Sequence, residues 1–264
     1  MPDPDMNTPQ TIQNAMTEHR HAPEKSQGKT GTLHLIPVGL GEAPIDQWLP
    51  AMVQSQAGQL TTYIAENAKV ARAFLKLTPL AHPLQEITLH ELNARVDDAS
   101  LAEWLAPLKS GQDIGLVSDA GCPAVADPGA RAVALAHQWG ATVKPWVGPS
   151  SILLGLMASG LDGQRFAFHG YAPVEPAERA KQLKTWEQLS AKQKQSQLLI
   201  ETPYRNQAMF ASLIEHLKGN TRLCVARSVT TRDEWIRTLS IAQWKHQPPP
   251  QLDKHPTLFL FQAA

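Results

Sequence analysis

The sequence predicts an α/β protein with two α/β domains. Short apolar runs alternate with segments of helical periodicity, as in an open, mostly parallel sheet. Glycine- and proline-rich loops at residues 39–44, 119–123 and 148–151 each follow a predicted strand. Because ligands of such sheets lie beyond the carboxyl ends of the strands, the three loops predict a binding site at one sheet edge.

In the N-terminal half, apolar runs predict strands at residues 32–38, 60–65, 113–118 and 141–147. Helical spacing predicts helices at residues 45–52, 68–77, 100–108, 127–139 and 152–159. Ile45, Trp48, Leu49 and Met52 are expected on one face of the first helix. Asp127 is expected to be the N-cap of the fourth helix, with Pro128 in its first turn.

The C-terminal half has more β character. Strands are predicted at residues 165–170, 197–201, 223–228, 234–239 and 257–261. Helices are predicted at residues 178–188 and 206–218, the second ending at Gly219-Asn220.

Length and composition exclude several classes of protein. The 264 residues are 42% hydrophobic, which is enough for a sizeable core. The chain has 24 Lys plus Arg and 24 Asp plus Glu, so it is not strongly basic overall. It has neither a signal peptide pattern nor an apolar run of the ~20 residues that span a bilayer, which predicts a cytoplasmic protein without membrane association. Two cysteines, without zinc-site spacing, fit a reduced compartment.

The charge divides the chain into three predicted segments. Residues 1–30 lack periodicity and are predicted to be a disordered tail. Residues 31–147, the N-terminal domain, carry 7 basic and 11 acidic groups, net −4. Residues 148–264, the C-terminal domain, carry 14 basic and 9 acidic groups, net +5. The overall neutrality is therefore a cancellation between an acidic and a basic domain.

Several reaction classes lack their motifs. There is no phosphate-binding Walker loop, Gly39-Leu40-Gly41 lacks the third glycine of a dinucleotide fingerprint, and no Gly-x-Ser-x-Gly turn or zinc-binding His pair occurs. These absences favour a group transfer in which a bound cosubstrate supplies the reactive atom.

One loop carries a specific resemblance. Residues 118–129, Ser-Asp-Ala-Gly-Cys-Pro-Ala-Val-Ala-Asp-Pro-Gly, resemble the signature loop of the tetrapyrrole methylase superfamily, in its branch of ribosomal small-subunit RNA (cytidine-2′-O)-methyltransferases. The resemblance extends over nearly all of residues 31–264. Further matching elements are Pro37-Val38-Gly39-Leu40-Gly41, Gly148-Pro149-Ser150-Ser151, Glu201-Thr202-Pro203-Tyr204-Arg205 and Ala226-Arg227-Ser228-Val229-Thr230-Thr231.

The resemblance implies two α/β domains, a mostly parallel N-terminal sheet and a mixed C-terminal sheet, with S-adenosylmethionine bound in the cleft between them. It also implies a homodimer, no metal, and ribosomal RNA or the small ribosomal subunit as substrate. The residues implied to contact the cosubstrate are Pro37, Gly39, Ser118, Asp119, Ala120, Gly121, Val125, Ser150, Ser151 and Thr257.

The candidate catalytic residues are Glu66, Glu201 and Arg205, and each has a structural alternative. Glu66 follows a strand, where a carboxylate also serves as a helix-capping partner. Glu201 and Arg205 are four residues apart and can pair with each other. Cys122, Cys224 and His169 are expected to be packing residues.

The chain departs from the family on the acceptor side. Glu66-Asn67-Ala68-Lys69 replaces the family's Glu-Asp-Thr-Arg, and Ser228 replaces a glutamate. Three functions therefore remain: methylation of a ribose 2′-hydroxyl in small-subunit (16S) ribosomal RNA, methylation of a small tetrapyrrole-like molecule, or S-adenosylmethionine binding without catalysis.

Overall fold

The structure, a computed structural model, describes residues 30–264. The predicted tail at residues 1–30 lies outside the described residues except for Thr30. The described chain forms two five-stranded sheets, one from each half of the sequence. Within residues 30–264 no helix is long and apolar enough to cross a bilayer.

The first sheet is parallel throughout, as the alternation of strands and helices predicts. Its strand order is β3-β2-β4-β1-β5. The strands are β1 (Thr32–Leu35), β2 (Thr62–Ala65), β3 (Thr88–Glu91), β4 (Ile114–Val117) and β5 (Thr142–Pro145). The sequence did not predict β3, because this short edge strand is partly exposed on both faces and has no apolar run.

The helices of the first half are α1 (Ala51–Gln59), α2 (Ala68–Leu75), α3 (Asp98–Leu105) and α4 (Ala130–Gln138). The predicted first helix begins too early, since a single 3-10 turn, Ile45–Gln47, precedes α1 and Met52 is exposed. The prediction that Asp127 caps α4 is also wrong. Gly129 is the N-cap, and Asp127 holds the preceding loop instead.

The second sheet is mixed, also as expected, in the order β6-β7-β10-β8-β9. β6 and β7 are parallel, and the other pairs are antiparallel. The strands are β6 (Phe166–Tyr171), β7 (Ser196–Glu201), β8 (Arg222–Arg227), β9 (Trp235–Ser240) and β10 (Thr257–Gln262). The helices are α5 (Ser151–Ser159), α6 (Pro176–Gln193), α7 (Asn206–His216) and α8 (Ile241–Trp244).

Close packing joins α5 to the second sheet rather than the first. A Cβ at Gly155 would lie 2.5 Å from Leu258 Cδ2 in β10, so any larger residue would require Leu258 to move. The chain thus passes from one sheet to the other between β5 and α5. The boundary predicted after residue 147 lies in this connection and stays a prediction.

Candidate functional site

A cleft of about 360 Å³ lies between the two sheets. Its lining comes from the carboxyl ends of β2, β4, β6, β7 and β8 and from the start of β10. The antiparallel register places the first residue of β10, Thr257, opposite Glu201 and Arg227, so these strand ends meet at one edge. The volume is within the usual range of small-molecule sites, roughly 300–1,000 Å³.

Eight of the ten residues expected to contact the cosubstrate line this cleft. They are Ser118, Asp119, Ala120, Gly121, Val125, Ser150, Ser151 and Thr257. Pro37 and Gly39 are not in the lining. A Cβ at Gly39 would lie 3.0 Å from the Trp48 ring, and one at Gly148 would lie 2.4 Å from Pro37 Cβ, so both residues occupy close-packed positions. Their predicted contact with the cosubstrate is not visible in the lining.

Residues 118–127, which follow β4, form a part of the cleft wall with several left-handed residues. The amide and carbonyl of Gly121 pair with those of Val38, both at 2.9 Å, which ties this loop to the first glycine loop. Gly121 has φ +76°, and Ala124 and Ala126 have φ +65° and +63°. Left-handed backbone at two alanines is unfavourable and persists only where other contacts hold it.

Asp127 supplies those contacts. Its Oδ1 accepts hydrogen bonds from the amides of Ala124 at 2.9 Å and Gly129 at 2.7 Å. Its Oδ2 is buried and has no hydrogen-bond partner among the described residues. Burial raises the pKa of Asp127, and the two amide hydrogen bonds partly oppose this shift.

Three carboxylates give the N-terminal wall of the cleft a negative charge: Glu66, Asp119 and Asp127. Partial burial, followed by repulsion from Asp119 and then Asp127, raises the pKa of Glu66, and a hydrogen bond from the Asp119 backbone partly opposes this shift. Partial burial and the nearby Glu91 raise the pKa of Asp119. Among the described residues none of the three forms a salt bridge. The wall therefore favours a cationic ligand.

Glu91 is a neighbour of the site that the sequence did not reveal. It ends the unpredicted β3, and its Oε1 accepts a hydrogen bond from Ala68 N at 2.8 Å. Asn67, not Glu66, caps α2, since its side chain accepts from Lys69 N and Val70 N. Glu66 is therefore free of the capping role that was its structural alternative.

Glu201 and Arg205 do pair with each other. Arg205 donates to Glu201 Oε2 at 2.5 Å, and Thr202 N donates to Oε1 at 2.7 Å. The Glu201 side chain is only 1% exposed. Glu201 contributes to the cleft lining, whereas Arg205 does not. With both carboxylate oxygens hydrogen-bonded, the pair is suited to holding the turn after β7, and its predicted catalytic role stays a prediction.

The C-terminal wall of the cleft is largely apolar, and sequence reasoning missed most of it. Its apolar and aromatic members are Ile152, Phe168, Tyr171, Ile200, Pro203, Ala226, Val229, Pro256 and Leu258. Several of them could have been predicted from their position in the sequence, because they lie at the ends of strands that face the cleft. The two walls thus differ in character, one acidic and one apolar.

The three residues expected to be packing residues all make packing contacts, and Cys122 also lines the cleft. Cys122 Sγ contacts Pro149 O at 3.4 Å, linking two of the loops, and burial raises the pKa of its thiol. Cys224 is fully buried. His169 stacks on Trp186 with ring centroids 4.1 Å apart and hydrogen-bonds Gln197. In residues 30–264 no three His, Cys, Asp or Glu side chains are grouped to hold a metal ion.

Comparison with known proteins shows which family has sequences similar to this chain. The chain is 33% identical over 173 residues to ribosomal RNA small subunit methyltransferase I of Mesorhizobium japonicum, covering 66% of the chain and 56% of that protein. It is 30% identical over 208 residues to the Bacillus subtilis protein of the same name, covering 78% of the chain and 67% of that protein. The chain belongs to the ribosomal RNA small subunit methyltransferase I family. It spans just over half of the first relative's length and two thirds of the second's.

Solved structures show the fold of this family member independently. The methyltransferase CobJ matches with a TM-score of 0.57 at 19% identity, covering 90% of this chain and 95% of that one. Cobalt precorrin-4 methyltransferase CbiF matches with a TM-score of 0.54 at 15% identity, covering 88% and 94%. The two-domain tetrapyrrole methylase fold is thereby confirmed. No protein-family model matches the chain.

Proposed function

We propose that this chain is an S-adenosylmethionine-dependent methyltransferase that methylates a ribose 2′-hydroxyl of small-subunit (16S) ribosomal RNA. The observation that carries the proposal is the cleft at the strand ends, whose walls contain the family's signature loop in a chain whose relatives bear the name of ribosomal RNA methyltransferases. The net charge of +5 on residues 148–264 supports an RNA substrate, because a net positive charge attracts phosphates.

The residues of the cleft fit S-adenosylmethionine. Gly121 has positive φ and no side chain, which lets backbone approach a ligand closely. The unpaired carboxylates of Glu66 and Asp119 and the unsatisfied Oδ2 of Asp127 favour a positive charge. When bound, S-adenosylmethionine supplies a methyl group that its sulfonium already activates. The protein's main task is then to bring the acceptor hydroxyl into line with that methyl group.

A ribose hydroxyl must lose its proton in this reaction. Glu66 is the candidate acceptor: it lies in the cleft wall, it is exposed, and its pKa is raised above that of an ordinary glutamate, which makes it a better proton acceptor. Glu201 is less suited because hydrogen bonds already occupy both of its oxygens. We assign Glu201 and Arg205 as positioning residues for the turn after β7.

The proposal includes a homodimer in the cytoplasm. The face of α5 that carries Leu153 and Met157, four residues apart, is exposed, and Met157 reaches 79%. Side chains four residues apart are neighbours on a helix surface, and burial of these two apolar side chains against a partner would be favourable. A second copy of the chain is the proposed cover. Sedimentation of Met157→Asp should then show a monomer where the wild type is a dimer, and an unchanged dimer would place the interface elsewhere.

Two measurements test the function. Calorimetry with S-adenosylmethionine should show stoichiometric binding, and absence of binding would remove the proposal. Mass spectrometry of ribosomal RNA from cells with and without the gene should show loss of one ribose methyl group. Unchanged RNA would favour the small-molecule reaction, and binding without transfer to naked RNA or assembled subunits would indicate a silent protein.

The position of the cosubstrate has its own test. Cys122 lines the cleft, so saturating S-adenosylhomocysteine should slow its alkylation by iodoacetamide. Cys224 is buried in β8 and serves as the internal control. Equal alkylation of Cys122 with and without ligand would place the cosubstrate elsewhere.

A further inference from the structure

Two tyrosines have exposed rings near the cleft. Tyr63 is in the core, whereas Tyr171 is 58% and Tyr204 is 78% exposed. Among residues 30–264 the hydroxyls of Tyr171 and Tyr204 form no hydrogen bond within the protein, and neither ring stacks on another aromatic ring. Packing within the described chain therefore does not account for either ring.

The two tyrosines lie at the same edge of the second sheet. Tyr171 is the last residue of β6 and pairs with Ile200 of the parallel neighbour β7. Tyr204 lies in the turn that directly follows β7. Tyr171 and Pro203, the residue before Tyr204, both line the cleft. We call Tyr171 and Tyr204 the tyrosine rim.

The turn that carries Tyr204 is firmly held. Arg205 N donates to Thr202 O at 2.9 Å, and the Arg205 side chain pairs with the buried Glu201. Lys254 N donates to Pro203 O at 3.2 Å, which adds a contact from the loop before β10. A ring on a rigid backbone loses little conformational entropy when it binds a ligand, so it is a favourable contact residue.

The unpaired acidic groups of the cleft lie on the wall opposite the tyrosine rim. On the rim side the charge of Arg205 is balanced by its ion pair with Glu201, and the exposed Lys254, next to the exposed Asp253, is bonded through its backbone to the same turn. The opposite wall carries Glu66, Asp119 and Asp127, which repel phosphates. Repulsion by these carboxylates directs an RNA strand to the C-terminal wall, where its bases meet the exposed rings.

We propose that Tyr204, together with Tyr171, stacks on an unpaired base of the acceptor RNA and so holds its ribose over the cleft. This inference rests on the proposed function and adds the contact by which the substrate is held. Base stacking on an aromatic ring requires an unstacked nucleotide and tolerates any base. The tyrosine rim thus accepts single-stranded RNA and excludes a regular duplex.

A binding experiment isolates the stacking contact. The probes are a fluorescein-labelled single-stranded oligouridylate and an oligomer of the same length with abasic ribose. The wild type should bind the base-containing oligomer about tenfold more tightly. Tyr204→Ala should lose that preference, whereas Tyr204→Phe should keep it because the ring remains. Equal affinity of the wild type for both oligomers would overturn the proposal.

A kinetic experiment separates this role from cosubstrate binding. With undermethylated small subunits as substrate, Tyr204→Ala and Tyr171→Ala should each raise KM for the subunit about tenfold. Because Tyr204 is not in the cleft lining, Tyr204→Ala should leave the Kd for S-adenosylmethionine unchanged. Phe166→Ala, at the opposite end of β6, is the matched control and should behave as the wild type. A raised Kd for S-adenosylmethionine in Tyr204→Ala, or an equal KM effect in the control, would contradict the proposal.

The two proposals fail in different ways. If the wild type transfers no methyl group to any RNA, the proposed function is wrong, and the comparison of base-containing and abasic oligomers still decides the stacking. If the wild type methylates RNA and the tyrosine variants do so with unchanged KM, the function stands and the stacking inference is wrong. Sedimentation of each variant checks that the substitution has not changed the oligomeric state.

Discussion

Asp127 Oδ1 accepts the amide hydrogen of Gly129 at 2.7 Å, and the same oxygen accepts that of Ala124. One oxygen thus fastens both the last residue before α4 and a left-handed residue of the cleft wall. The carboxylate is a connector within the loop, and its second oxygen is left without a partner among the described residues.

Two substitutions of Asp127 should distinguish the effect of its accepting oxygen from the effect of its buried charge. Asp127→Ala removes both hydrogen bonds and should lower the free energy of unfolding by about 2 kcal/mol. Asp127→Asn keeps an oxygen acceptor and removes a buried charge, so it should stay close to the wild type. Urea denaturation of the two variants provides the measurement. Equal destabilisation would show that the charge, rather than the acceptor, holds the loop.

Binding of S-adenosylmethionine should weaken as the pH falls. The pKa values of Glu66, Asp119 and Asp127 are raised in the free protein, mainly by burial. A bound cation favours their charged forms and lowers these pKa values, so its affinity is fully present above them and is lost as protons bind. The loss should begin at a higher pH than for ordinary carboxylates.

Calorimetry between pH 8 and pH 5 at constant ionic strength provides the measurement. S-adenosylhomocysteine is the control, because its thioether sulfur is neutral and its affinity should depend less on these three carboxylates. Parallel pH profiles for the two ligands would mean that the acidic wall does not act on the sulfonium.

Removal of Arg205 should destabilise the protein through Glu201. Arg205→Ala leaves a carboxylate that is 1% exposed without its cationic partner, and the expected loss is about 3 kcal/mol, or roughly 6–12 °C in Tm. Adding Glu201→Gln removes the stranded charge and should recover part of the loss. The measurement is thermal unfolding of the single and double variants. A Tm of the double variant below that of Arg205→Ala would contradict this explanation.

The close approach of α5 to β10 gives a further test. Gly155→Ala places a methyl group 2.5 Å from Leu258 Cδ2, and Leu258 is only 2% exposed and has little room to move. Overpacking should exceed the gain in helix propensity and leave a net loss of about 1 kcal/mol. Because Leu258 lines the cleft, the Kd for S-adenosylmethionine should rise as well.

Gly163→Ala is the matched control. A Cβ at Gly163 meets no atom within 4 Å, and its φ is outside the left-handed region. Its stability should stay within about 0.5 kcal/mol of the wild type. Denaturation gives the stability of both glycine variants, and calorimetry gives their Kd for S-adenosylmethionine. Similar values for the two variants would mean that α5 and β10 accommodate the added methyl group without loss of stability or affinity.

Local patterns in the sequence predicted much of the fold. Buried runs such as Ile114–Val117 and Thr257–Gln262 were predicted as strands because short apolar runs bounded by turn residues are typical of buried strands. The signature loop at residues 118–129 indicated the family, and the alternation of elements indicated a parallel first sheet. Both follow from residues that are neighbours along the chain.

Elements that depend on distant neighbours escaped prediction. β3 is a strand only because β2 offers it a partner, and its own residues carry no apolar run. Asp127 has the residue type and position of a helix cap, but the backbone of Ala124 and Gly129 makes it a loop anchor. In both cases the deciding hydrogen bonds form only once the surrounding backbone is folded.

The sequence by itself determined most strands and helices in their order, the three glycine-rich loops and the family resemblance, since local propensity and hydrophobic periodicity act between near neighbours. Only the tertiary structure decided which wall is acidic and which is apolar, that Glu201 forms an ion pair whereas Glu66 forms none among the described residues, and that Tyr171 and Tyr204 share one rim. These properties arise from sheet order and from contacts between residues far apart in the chain.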